Sequence, residues 1–537
     1  MQRHECEVLV VGSGGAALVA ALAAHDAGAR VAVVEKTGLI GGTTAMSGGL
    51  VWVPGNPHML TEGIEDSRED ALRYLLHLAN DRSDEALVAT IVERGPEMIE
   101  YLEQATSLAF ETTEKPDYHP ELPGARPRGR SLAPNVFDVT QLGEWREHLR
   151  AGPTFALPMT WRELDSVNGV FHPERLDLAL IEARAGRGLV GMGMALVGRL
   201  LAAVLERGIP IHRRVCAREL ILEGKRVVGV LAEGTKGPLQ FDASRGVILA
   251  AGGFEWNAEW VRRFVAGPMT HPLSCPANQG DSLRMAMAVG SDLANMDDIM
   301  RFPASQIPGE VYDDHPMNRM VSGERGLPHA ILVNRRGQRF VNEAHNYTDV
   351  ARAFMAWDPV AVEWANLPCW SIFDQQYRDH YAVLDASPDD PDPAWLVRAD
   401  DLGELAQKLG MDGEALKQTV ERFNHFAAQG NDPDFQRGES LFDRYYADNE
   451  AASPTLGTLE KAPFYALPVH CGAIGSTGGP RTNSKGQVMH VSGHPIPGLY
   501  AAGDSAASSM GPGYGGPGGP LGQGLTLGYL AGRSAAH

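Results

Sequence analysis

Two glycine-rich turns and the carboxylate that follows the first are the residues of this sequence best suited to hold a ligand. Gly12-Ser13-Gly14-Gly15-Ala16-Ala17 follows a β-rich run, Glu7–Val11, and leads into helical composition over Ala16–Ala27. Gly12 permits a tight turn, Gly14 lets backbone approach a pyrophosphate, and Ala17 is small enough for close helix–strand packing. The helix start at Gly15 and Ala16 offers free N–H groups and the positive end of its dipole. Glu35 ends a second strand, 21 residues after Gly14. A carboxylate there accepts hydrogen bonds from ribose hydroxyls and disfavours a 2′-phosphate.

The second turn, Gly41-Gly42-Thr43-Thr44-Ala45-Met46-Ser47-Gly48-Gly49, sets small hydroxyl residues and bare backbone just past the ribose site. A long cofactor lying flat needs such a lining and an NAD domain does not, so the expected cofactor is FAD, bound non-covalently. Two further strand ends agree: Ala250-Ala251-Gly252-Gly253, and Gly498–Asp504, which closes on Gly503-Asp504. Asp504 is suited to the ribityl or phosphate region, or to a helix N-cap.

The elements that must position these residues follow from pattern. The first thirty-odd residues read as a β-α-β unit. Asp66–Ala105 reads as at least two amphipathic helices, 106–190 as an irregular, proline-rich surface excursion, and Ile209–Glu233 as strands joined at Gly224. From about 300 to 457 glycine thins, and Asp400–Ala428 is helical. After 458 the glycine-rich character returns. The fold class is therefore α/β: a Rossmann-like FAD-binding domain from 1–299 and 458–537, with an inserted α+β catalytic cap over 300–457.

The chain has 537 residues, 61 glycines and a formal net charge of −20. That charge argues against nucleic acid, which needs basic patches. Five scattered cysteines show no metal spacing, so no metal is expected and a reducing cytoplasm fits. The start lacks the basic flank of a signal peptide. Val8–Ala24 is apolar but broken by Gly12–Gly15, which reads as strand, turn and helix rather than a membrane span.

With these motifs in hand, the chain resembles the flavoproteins related to fumarate reductase, and among them the 3-ketosteroid Δ1-dehydrogenases. The likeness runs nearly end to end. It includes Gly252-Gly253, Arg339-Phe340-Val341-Asn342-Glu343, Gly475-Ser476-Thr477-Gly478-Gly479 and Gly513–Gly522. The resemblance implies four catalytic positions: Tyr118 after Pro116-Asp117, Tyr347 after Asn342-Glu343, and Tyr514 with Gly518 in the last glycine loop. The cofactor lining is expected to take in Lys36, Val215, Gly280, Asp281, Gly519 and Leu521 as well. Asp504 stands where the family commonly has asparagine, and the segment around 125–190 is longer than in compact members.

The implied reaction introduces a double bond between C1 and C2 of a 3-ketosteroid. Tyr514 and the Gly518 N–H polarise the carbonyl, Tyr347 takes the C2 proton with Tyr118 hydrogen-bonded to it, and the C1 hydride goes to the flavin. A phenol with pKa near ~10 serves as base only at alkaline pH or with a lowered pKa. The expected partners are a steroid and an electron acceptor such as a quinone, with peripheral membrane contact left open. A desaturase of smaller ketones such as oxocyclohexane carboxylates would use the same tyrosines. A fumarate-type reductase would need carboxylate-clamping arginines, and none lies between Arg481 and Arg533. His470, Arg339, Tyr500 and Tyr529 read as structural.

Overall fold

A computed structural model describes the whole chain, Met1–His537. The β-rich start forms the strand Gln2–Val11, which pairs in parallel with Val31–Glu35 on one side and Gly237–Leu249 on the other. Pro495–Ala501 and Ile211–Arg213 extend this sheet in parallel at either side. Its central strands are apolar on both faces, as parallel strands covered on both sides must be; every residue of Val31–Glu35 is buried. The hairpin Val215–Glu223/Arg226–Gly234 continues from Gly237–Leu249 in antiparallel pairing.

The helix Gly15–Asp26 lies on this sheet and is buried from Ala17 to Ala24. The helix Gly519–Ala535 covers it, although the two are some five hundred residues apart in the chain. Small residues make this possible. A Cβ on Gly528 would stand 2.4 Å from the Ala16 carbonyl oxygen, and one on Gly532 would stand 2.4 Å from that of Ala20. The helix backbones therefore touch directly, and both ends of the chain build one domain.

A second sheet holds the cap. Its hub is Phe464–Ser476, flanked by Ile299–Tyr312 and Cys369–Asp374, with His315–Met320 and Ala330–Asn334 outermost. The hub lies beyond the sequence boundary at 457, and His271–Pro272 also pairs with it from before residue 300. The cap therefore borrows strands from the glycine-rich flanks. The helical stretch is two helices, Leu402–Leu409 and Gly413–Ala427, broken at Gly410. No helix is long and apolar enough to cross a membrane.

The reading of 106–190 as a surface excursion needs correction. Lys115, Asp117, Tyr118, Arg130 and Arg150 are all almost fully buried. Arg130 is paired with Asp66 at 2.7 Å and Asp117 at 2.8 Å, and the Trp52 indole N–H donates to Asp117 at 2.7 Å. Breaking such a pair strands a charge in low dielectric, so the network fixes the segment in place.

Because the contact of the terminal helix with Gly15–Asp26 is backbone on backbone, Gly528→Leu is expected to cost roughly 2–3 kcal/mol by overpacking. A urea unfolding midpoint close to that of the parent protein would show that the helices are not so tightly apposed.

Candidate active site

The strand-to-helix turn at Gly12–Gly15 forms one end of a cavity of about 460 Å³. Gly12 has φ +112°, and a Cβ there would lie 2.2 Å from the Ala250 carbonyl oxygen, so two strand ends pinch together. The Gly15 N–H donates to Thr44 Oγ1 at 3.0 Å, which ties the two glycine loops to each other. Glu35 accepts from Ser13 Oγ at 2.6 Å and from the Thr37 N–H at 2.7 Å. These bonds hold the carboxylate of a residue that lines the cavity. Lys36 and Asp281 form an ion pair at 2.6 Å on the same wall.

Further along stand Gly14, Ala16, Gly42, Thr43, Thr44, Ser47, Gly48 and Gly49, faced by Val215, Ala251, Gly252, Gly503, Asp504 and Leu521. This cradle fits a flavin dinucleotide: an acid at the ribose end, bare backbone in the middle, and a helix N-terminus beyond. Burial, and then the charge of Glu255, pushes the Asp504 carboxyl up to about 8. Three expected lining residues stand behind the wall. Ala17 is fully buried in its helix, Gly280 caps the helix Asp281–Ala288 against Trp260, and Gly519 packs on Tyr514.

The same cavity continues to Tyr118, Tyr347, Tyr514 and Gly518, so all four expected catalytic positions meet in one place. The Tyr118 and Tyr347 hydroxyls are 2.6 Å apart. Tyr118 stacks on Tyr514 with centroids 5.0 Å apart, and Tyr347 stacks on Phe302 at 4.0 Å. Tyr118 is held by its N–H to the Gly515 carbonyl at 3.1 Å. Tyr347 opens the helix Tyr347–Arg352, capped by the Asn346 side chain. Behind it, Arg339 forks onto Glu343 at 2.7 Å and Asp432 at 2.8 Å, the structural role expected for that arginine. Gly518 has φ +95° and caps the terminal helix; a Cβ there would lie 2.4 Å from the Leu50 carbonyl oxygen.

Burial drives the Tyr347 phenol upward, while hydrogen bonds with Tyr118 and Tyr514 and the Arg325 charge pull it back. Burial, then the charge on Tyr347, drives Tyr118 and Tyr514 well above the ordinary range. In the protein alone no phenol is lowered, contrary to one of the two sequence expectations for Tyr347.

Sequence reasoning missed two residues here. Asn278 donates to Thr43 Oγ1 at 3.1 Å and to Glu255 at 2.8 Å. Arg325 is buried and donates to the carbonyls of Val321 and His345. Neither sits in a motif; only their contacts reveal them. His470 stacks flat on His271 at 4.0 Å, in keeping with a structural role.

The sequence profile of the FAD binding domain family matches residues 7–521. The chain is 40% identical to 4-oxocyclohexanecarboxylate 2-dehydrogenase of Sinomonas cyclohexanicum, over 99% of this chain and 93% of that one. It is 36% identical to 3-oxosteroid 1-dehydrogenase of Mycolicibacterium smegmatis, over 99% and 97%. The fold superposes on the crystal structure of 3-ketosteroid Δ1-dehydrogenase from Sterolibacterium denitrificans in complex with 1,4-androstadiene-3,17-dione, with TM-score 0.93, 35% identity and 99% of each chain covered. A dinucleotide cradle opening onto a cluster of phenols, and relatives matching end to end, lead to one assignment: the chain belongs to the FAD binding domain family of flavoproteins and is an FAD-dependent oxidoreductase.

Proposed function

We propose that the protein desaturates ring A of 3-ketosteroids between C1 and C2. The observation that carries this reading is the continuity of the cavity. It runs from Glu35 past the phenols and Gly518 into an apolar extension bordered by Phe155, Val170, Phe171, Met320 and Leu384. A flat, apolar polycycle suits that extension, and burying its surface favours binding by ~25 cal/mol per Å².

In this reading the Tyr514 hydroxyl and the Gly518 N–H donate to the substrate carbonyl oxygen. They stabilise the negative charge that develops there when the C2 proton leaves. The Gly518 N–H suits the task because it has no acceptor within the chain, while the Gly518 carbonyl is engaged by Trp52 and Gly522. Tyr347 receives the C2 proton, and Tyr118 holds the Tyr347 hydroxyl in place. FAD held in the cradle of Gly12–Gly15, Glu35 and Gly42–Gly49 would supply the hydride acceptor for C1. The walls of Phe302, Met300 and Ile474 keep water from the reacting carbons.

A second reading is desaturation of an oxocyclohexane carboxylate. It is favoured by the 40% identity to 4-oxocyclohexanecarboxylate 2-dehydrogenase and by Arg319, a cation on the cavity wall. Against it, the Arg319 fork is already closed on Glu310 at 2.5 Å. A fumarate-type reduction finds no arginine in the loop that carries Tyr514.

With a dye as electron acceptor, C19 3-ketosteroids are expected to turn over with higher kcat/KM than 4-oxocyclohexanecarboxylate. The reverse order would replace the first reading by the second. Tyr347→Phe is expected to stay yellow and lose at least about 10²-fold in kcat, the scale of a missing general base; undiminished turnover would remove Tyr347 from proton transfer. Because only the phenolate accepts a proton and burial holds the Tyr347 phenol up, kcat should climb as pH rises through the alkaline range. A profile flat from pH 7 to 10 would contradict a phenol base.

A further inference from the structure

Beside the phenol pair lies a cluster that desaturation does not use. His119 follows Tyr118 directly, while His345 and Asp349 flank Tyr347 two residues to either side. The ligating atoms of His119, His345 and Asp349 all lie within 4.8 Å of one another. His119 Nε2 is 2.9 Å from Asp349 Oδ2, and His345 Nε2 is 3.6 Å from the same oxygen. The two rings meet edge to face at 5.3 Å. All three side chains keep about a quarter of their surface, 22%, 24% and 26%, so an ion can reach them from solvent.

Proximity alone is common among surface acids and histidines. The far side of each ring is what distinguishes this cluster. His119 turns Nδ1 to Glu121 at 3.4 Å, and His345 turns Nδ1 to Asp443 at 4.0 Å. The Asp443 side chain is fully buried, and its Oδ1 has no hydrogen-bond partner. A carboxylate on the Nδ1 side is common behind metal-bound imidazoles, and a metal would take the Nε2 positions in place of the proton that His119 shares with Asp349 at 2.9 Å. Asp349 is steadied in turn by Asn346 at 2.7 Å and Arg352 at 3.3 Å.

We propose that His119, His345 and Asp349 form a binding site for a divalent transition metal of the zinc class, which staples the segment carrying Tyr118 to the segment carrying Tyr347. Two imidazoles and one carboxylate are a ligand set that zinc accepts, with the fourth position left to water. Bonds of ~2.0–2.1 Å at tetrahedral angles set ligand atoms roughly 3.3 Å apart, so the His119–Asp349 pair at 2.9 Å opens slightly and the wider gaps close. The movement falls on His345, whose Nε2 is the farther from Asp349. The role is structural and does not depend on which ketone is oxidised.

The test uses the tag-free, chelator-treated, FAD-loaded protein, titrated with zinc chloride by calorimetry and followed by thermal unfolding. The parent protein is expected to bind one equivalent that both His345→Gln and His119→Gln lose. Binding to the folded state alone should raise its unfolding midpoint by several degrees, with no rise in the variants. Retained flavin absorbance in both variants certifies that they fold. Failure of the parent protein to take up zinc, or uptake and midpoint shift unchanged in the variants, overturns the proposal. Uptake lost in the variants without any midpoint shift in the parent overturns the staple.

Discussion

One hydrogen bond sets the terms for the rest of this molecule. The hydroxyls of Tyr118 and Tyr347, 229 residues apart, sit 2.6 Å from each other. A contact that short demands that two independent chain segments be fixed to a fraction of an ångström. Neither segment can be fixed by its own secondary structure: one is irregular, and the other begins a helix of six residues. Both are held by buried charge instead. Asp66, Asp117 and Arg130 hold the first segment, and Arg339, Glu343, Asp432 and Arg437 the second. Such networks contribute little net stability, but they are costly to break. They specify a position more than they add free energy.

The third phenol is placed differently. Tyr514 belongs to the loop before the terminal helix, and that helix lies against the first helix backbone to backbone. The geometry that shapes the dinucleotide cradle thereby also places Tyr514 and Gly518 on the wall of the same cavity. Binding and chemistry share one rigid frame, and the cap contributes Tyr347 across a cleft.

Much of this was legible in the sequence where local physics leaves a local mark. Gly12, Gly14 and Glu35 announce themselves because a tight turn and the ribose contact expected of such a fingerprint call for those residue types at that spacing, and the structure sets all three on one cavity wall. Tyr514 stands out in its glycine loop. The segment from 106 to 190 was misread for a physical reason. Its interior is made of Lys115, Asp117, Arg130 and Arg150, and hydropathy counts such residues as surface. Only their partners, distant in sequence, reveal that they are buried. The strand Phe464–Ser476 lies past the expected boundary at 457 yet pairs with Ile299–Tyr312 and Cys369–Asp374; its glycines resemble those of the dinucleotide domain, so pattern alone does not reveal that pairing. Ala17 and Gly519 lie in the first turns of helices and Gly280 caps a third, and all three face protein, a distinction that motif spacing does not make.

The pairing of Gly15–Asp26 with Gly519–Ala535 bears on how the protein is made. On the ribosome the first helix emerges early with its small-residue face bare, and its covering helix is synthesised some five hundred residues later. The parallel strand Pro495–Ala501 is also late. Through most of translation the nascent dinucleotide domain is therefore an open sheet with an uncovered helix, the kind of species that chaperones attend. The cavity itself draws on late residues, Gly503, Asp504, Pro517 and Leu521, so its wall is complete only once they have been made.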